Sequence, residues 1–294
     1  VTRLGEQSFR LTSAEPNLRW LSMNAVGMDV AITEVTDRMA ALSLQGPKSR
    51  AVLNARCDRP VDELKFFRMA ANVIAGAPVS ISRTGYTGDL GFEIWMEAED
   101  ALPVWDALLS ADGDYGVTPC GILAMDMARV EAGLFMLDVD YTAATHAWIP
   151  GQKSSPYEMG LGWTVNLDKP GYFVGRRALE REAREGSAWK LVGVEVDWEG
   201  LERLYGAVGL PPQVPAMAVR GSLPVMKDGT QVGYASTSTW SPVLKKYIAL
   251  VHLERPHYEP GTRVEVEITV EHHRRHAPAT VVALPFYDPA WKRQ

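Results

Sequence analysis

From Lys190 onward the chain is a succession of short runs that alternate apolar and polar residues: KLVGVEVDW, SLPVMKDGTQVGYASTS, YIALVHLE, TRVEVEITVE and ATVVALPFYD. Dipeptides that favour tight turns, Asp228–Gly229 and Pro260–Gly261, stand between them. Alternation buries every second side chain, so each run needs neighbouring strands and a shared core. Many short strands at close spacing, with no helical period among them, predict an all-β module, a small barrel or jelly roll, over residues 189–294.

Upstream, over residues 1–188, the pattern is mixed. Residues 2–12 predict a hairpin turning at Gly5–Glu6. Residues 15–27 predict a helix that opens near Pro16 and stops at Gly27. The stretch VAITEVTDRMAALSLQGP predicts two short strands with a turn near Asp37. Pro47 opens a short helix over 47–56, and a strand over 78–83 leads into RTGYTGDLGFEIWME, a glycine-rich turn with a strand after it. Residues 100–111 and 121–134 predict two more helices, and EREAREGSAWK closes another. Strands and helices alternate without the spacing of βαβ crossovers. The predicted class is α+β, with mainly antiparallel sheet and packed helices, followed by the β module.

Charge and cysteine usage exclude several classes. Lys plus Arg is 30 against 36 for Asp plus Glu, a net charge of -6, which disfavours nucleic acid as a partner. Two cysteines, Cys57 and Cys120, make neither a disulfide scaffold nor a cysteine-based zinc site, and a reduced, cytoplasmic setting is expected. No apolar run approaches the ~20 residues that cross a bilayer, so no membrane partner is expected. HHRRH at 272–276 puts His272 and His276 on one face of a strand and His273 on the other, a poor zinc geometry, so no metal is expected. There is no Gly-x-Ser-x-Gly elbow and neither cysteine has an evident histidine partner, so no nucleophile is named. Phosphate-cradling glycine motifs are absent.

The chemistry concentrates in Arg83-Thr84-Gly85-Tyr86-Thr87-Gly88-Asp89-Leu90-Gly91-Phe92-Glu93-Ile94. The glycines imply backbone that a side chain would block. Glu93 lies on a strand among Phe92, Ile94 and Trp95. An ionised carboxylate accepting two parallel N–H bonds reads a 2-amino-4-oxo heterocycle, whose amino group and ring N–H lie side by side. On the residues alone, a surface glutamate alternating outward from an edge strand is the competing reading.

RTGYTGDLGFEIW, GILAMDMARVEAGLFMLDVDY, SSPYEMGLGWTVNLDKPGYFVGRRAL and the C-terminal WSPVLKKYIAL and ATVVALPFYDP resemble, in order and over nearly the whole chain, the aminomethyltransferase (glycine-cleavage T-protein) superfamily. The resemblance implies a tetrahydrofolate-binding fold with the folate in a central channel, Glu93 on the pterin and Tyr86 lining the site. Arg129 fits either a folate contact or a structural ion pair with its neighbours. Tyr157 fits either the channel or the packing of a helix start. Trp163 and Trp240 fit either a substrate pocket or the core. In the family, about a hundred further residues precede the position of Val1. They carry the aspartate expected to be catalytic, so no catalytic residue is named here, and a separate chain carrying that segment is a conceivable partner. The chain also departs from the family at Ala124-Met125-Asp126, where Ala-Arg-Asp is usual, and at Ser13-Ala14, where asparagine is usual.

The resemblance implies a tetrahydrofolate-dependent one-carbon transferase that needs no covalent intermediate on the protein. Trp240-Ser241-Pro242 and Phe286-Tyr287-Asp288-Pro289 look more like the demethylase-type relatives, which makes a small methylated molecule the expected donor. The alternatives are an aminomethyltransferase acting on a lipoyl carrier protein, and a folate-binding module of a flavin-dependent demethylating oxidase.

Overall fold

The computed structural model describes residues 1–293, apart from the side chains of residues 112 and 114. The strands are β1 (Thr2–Arg3), β2 (Phe9–Arg10), β3 (Met39–Gln45), β4 (Met69–Ile74), β5 (Ala77–Ser82), β6 (Gly91–Glu97), β7 (Trp189–Val196), β8 (Leu223–Lys227), β9 (Thr230–Ser241), β10 (Lys246–Glu254), β11 (Arg263–Val270) and β12 (His273–Val282). The helices are α1 (Leu18–Asn24), α2 (Ser49–Arg56), α3 (Ala101–Leu109), α4 (Asp112–Tyr115), α5 (Ile122–Glu131), α6 (Arg176–Glu185) and α7 (Trp198–Gly206).

The first lobe is built on an antiparallel sheet in the order β3-β6-β5-β4. One face carries Leu42, Leu44, Val79, Ile81, Phe92, Ile94 and Met96, packed with Val52 and Leu53 of α2 and Val104 and Leu108 of α3. Strand alternation sends Ala41, Ser43, Ser80, Ser82, Glu93 and Trp95 to the other face, where Ser43 and Ser82 are the register partners of Glu93 on either side. The sheet therefore has an apolar side that holds it together and a second side on which small residues neighbour Glu93.

The glycine-rich segment before β6 behaves as its composition requires. A Cβ on Gly91 would lie 1.9 Å from Gln45 Oε1, and one on Gly85 would lie 2.1 Å from the same atom. The Gln45 side chain is thus clamped between two bare backbones. Its Nε2 reaches the carbonyls of Thr84 and Phe92, each at 3.4 Å, which pins the turn to the sheet.

The second lobe is a closed barrel, β10-β7-β12-β11-β8-β9, which settles the choice between barrel and jelly roll. Val194, Val225, Ala235, Val251, Leu253, Val266, Ala277 and Val281 fill it, and Leu201 and Tyr205 of α7 join this core. Ile248 and Leu250 of β10 belong to a different core, formed with Val130 of α5, Met127, Phe135 and Phe286. Both faces of β10 are therefore buried, one inside the barrel and one between the lobes.

Two expectations fail locally. Residues 30–35 form no strand: their alternation finds no partner, a 3-10 turn at Thr36–Arg38 follows, and only β3 forms. Helix α1 covers seven residues, fewer than the span predicted, and no residue in it is buried. The hairpin β4–β5 was not foreseen, because its turn is Ala75–Gly76, with φ of 53° and 81°, in place of the usual Asn-Gly.

Candidate functional site

Glu93 sits half-buried near the middle of the polar face of the first sheet. Thr84 Oγ1 donates to Glu93 Oε2 at 2.7 Å, and the Ser82 and Thr84 hydroxyls are 2.8 Å apart. Among the described residues, Oε1 accepts no hydrogen bond. The β1–β2 hairpin lays the Arg10 guanidinium over the Trp95 ring, 4.1 Å from its centroid, and close enough for Arg10 and Glu93 to feel each other's charge. The arrangement is an anchored carboxylate with one open oxygen, a floor of serine and alanine, and an aromatic–cation wall. It offers acceptors to a flat ligand with paired N–H groups.

The other expected residues lie elsewhere. The Tyr86 hydroxyl donates to the Phe135 carbonyl at 2.6 Å, and burial pushes the phenol above its ordinary range, so it stays a neutral donor. Tyr157 packs against the backbone of Gly162, where a Cβ would come within 2.9 Å of its ring. Beside it, Ser155 and Glu158 exchange hydrogen bonds in the reciprocal manner of a capping box. Trp163 is 75% exposed and lies 6.4 Å from Phe67, outside any core. Trp240 packs at a tilt against Trp198 of α7, with ring centroids 5.4 Å apart, on the barrel. No contact among the described residues joins these side chains to Glu93.

Arg129 is wholly buried at the seam of the two lobes. Its Nε donates to Asp126 Oδ1 at 2.9 Å, Nη2 to Thr237 Oγ1 at 3.0 Å, and Nη1 to the Leu134 carbonyl and to Asp140 Oδ2. Asp140 also accepts from the Met136 N–H and from the hydroxyls of Ser236 and Thr237. Arg220 completes Asp126 at 2.8 Å. The guanidinium is thus spent within the protein, as the structural ion pair weighed for it would require. Asp140, an acid soon after the α5 helix, carries no motif that marks it in the sequence.

The network ends on His252, whose ring stacks on Tyr234 and whose Nε2 lies 2.7 Å from the Asp140 carbonyl. A carbonyl only accepts, so Nε2 carries the proton. Burial pulls the imidazole below its ordinary value. The folded chain then resists a proton that the unfolded chain accepts below about pH 6.5. His252 accordingly contributes stability that is complete above that pH and is lost as pH falls. The urea midpoint should drop between pH 7 and pH 5 less steeply in His252→Gln than in the parent; parallel profiles would remove His252 from the effect.

Cys57 is part-buried and its thiol is pushed up to about 11 by burial, with Asp58 adding to it, which fits the small-hydrophobe reading. His272, His273 and His276 are exposed on the β11–β12 hairpin. Ligand-type groups do meet at Glu15, Asp138 and His146, where His146 Nδ1 is 3.3 Å from Glu15 Oε1; residues so far apart in sequence gave no signal. None of the described helices is long and apolar enough to cross a membrane.

An antiparallel sheet packed with helices, joined through α5 to a closed six-stranded barrel, defines a two-lobed α+β protein. The GCVT N-terminal domain family matches residues 1–169, and the glycine cleavage T-protein C-terminal barrel domain family matches residues 206–288. The chain belongs to this glycine cleavage T-protein family. An aminomethyltransferase of Halalkalibacterium halodurans is 36% identical over 274 residues, which cover 93% of this chain and 66% of that protein. One of Bacillus pumilus is 34% identical over 280 residues, covering 95% and 68%. The crystal structure of glycine cleavage system aminomethyltransferase T from Bartonella henselae shares the fold, with a TM-score of 0.71 at 24% identity, over 92% of this chain and 65% of that one. The chain therefore spans about two thirds of the length of the relatives it matches.

Proposed function

We propose that this chain takes part in tetrahydrofolate-dependent aminomethyl transfer, with residues 1–188 as the folate-binding lobe and residues 189–294 as a supporting barrel. The observation that carries the reading is Glu93, held by Thr84 through one oxygen and offering the other on a floor of small residues. Glu93 accepts from the paired N–H groups of the pterin, and Trp95 with Arg10 bounds the ring's edge. Tetrahydrofolate, when bound, supplies the N5 and N10 amines that receive the carbon. The chain's own task is positioning: it fixes ring and donor so that their encounter is no longer a chance collision.

The curated relatives are aminomethyltransferases, which favours a lipoyl carrier protein as donor over a small methylated molecule. The residues that pointed to the small donor have packing roles. Ser241 donates to Glu131, and the Tyr287 N–H donates to the Glu131 carbonyl at 2.8 Å. Phe286 covers Gly193, where a Cβ would meet its ring at 2.6 Å. The contacts to Glu131 join the lobes, that of Phe286 lies within the barrel lobe, and none bears on the donor.

The test is a turnover assay with tetrahydrofolate, comparing an aminomethyl-loaded lipoyl protein with methylated sulfonium and amine donors. Ammonia release from the loaded carrier that depends on tetrahydrofolate is the expected result. Turnover with a small methylated donor alone would return the reading to a demethylase, and absence of tetrahydrofolate binding in a titration would end both.

A further inference from the structure

Three side chains that the folate reading leaves unused meet in one place. Glu15 stands just before α1, and Asp138 and His146 belong to the loop that follows α5. Each offers one ligand atom, and these atoms all lie within 4.8 Å of one another. His146 Nδ1 is 3.3 Å from Glu15 Oε1. That is long for a charge-assisted hydrogen bond, which spans about 2.7–2.9 Å. It matches two neighbouring ligands of a tetrahedral ion, which stand about 3.4 Å apart when each bond is about 2.1 Å.

The backbones that carry these groups are held. The Asp138 N–H donates to the Tyr141 carbonyl at 2.8 Å, the His146 N–H to the Ala143 carbonyl at 2.9 Å, and Asn17 Nδ2 to the Glu15 carbonyl at 2.9 Å. Negative charge is left over as well. Among the described residues, His146 is the only basic side chain that pairs with either acid. Burial, then the charge of Glu15 and then that of Asp138, pushes the Tyr141 phenol above its ordinary value, so both acids act on the same small space.

We propose that Glu15, Asp138 and His146 form a binding site for a divalent cation of the zinc kind, which ties the α1 segment to the loop after α5. An imidazole nitrogen beside carboxylate oxygens suits zinc, whereas calcium and magnesium take oxygen ligands. Three protein ligands leave a fourth position to water. The tie has a use here. No residue of 1–38 is fully buried, α1 included, so little apolar packing holds this segment down. The site is independent of the folate reading of Glu93.

Calorimetric titration of the full chain with zinc chloride tests it. Glu15→Gln, Asp138→Asn and His146→Gln keep the shape of each side chain, and each should weaken zinc by about tenfold or more. Alanine at His272, His273 and His276 together should leave the affinity within about twofold, since that exposed run lies on the β11–β12 hairpin. Magnesium chloride in excess should not displace the zinc. Single variants that bind as the parent does, loss of zinc with the hairpin variant, or displacement by magnesium overturns the site. Zinc should also slow tryptic cleavage after Arg19 of α1 in the parent and not in His146→Gln. Equal cleavage of the parent with and without zinc overturns the tie.

Discussion

Replacing Arg129 with leucine is expected to cost the folded chain about 3–5 kcal/mol, the range for breaking a buried ion pair by removing one partner. The guanidinium makes contacts to Asp126, Leu134, Asp140 and Thr237 from a position with no solvent exposure. Leucine fills part of the volume but leaves Asp140 a buried carboxylate held only by Ser236, Thr237 and the Met136 N–H. The comparison that isolates the charge is Thr237→Val, which removes one hydroxyl from the same network and should cost about 1 kcal/mol. Urea-unfolding midpoints measure both. If Arg129→Leu costs no more than Thr237→Val, the network is not the fastening it is argued to be.

Glu93→Ala is expected to weaken tetrahydrofolate by about 2–4 kcal/mol, the loss of a charge-assisted pair of hydrogen bonds. That corresponds to roughly 30- to 700-fold in the dissociation constant. The side chain is half-buried on the polar face, away from the packed core, so the fold should survive and a titration should read binding alone. Unchanged affinity in a folded variant would take Glu93 out of the site.

The barrel was legible because every feature that makes it is local: alternation along each run, and turn dipeptides between runs. The glycine-rich turn was legible for the same reason, and the clash that Gln45 would make with a Cβ at Gly85 or Gly91 supplies the cause. What escaped is non-local. An ion pair of Arg129 is readable in the sequence, but its partner Asp140 carries no motif, and only folding brings both to Thr237, more than a hundred positions from Arg129. Arg10 carries no motif at all, and its place over Trp95 depends on how a hairpin of two-residue strands folds back. Trp163 shows the converse: a tryptophan fit for pocket or core stands 75% exposed, because residue type sets a tendency to bury and not a location.

Strand β10 is a party wall. Its Ala249, Val251 and Leu253 belong to the barrel, while Ile248 and Leu250 belong to the seam with α5. Neither lobe can come apart without baring a side of this strand that the other had kept dry. Damage on one side of it is therefore felt on both.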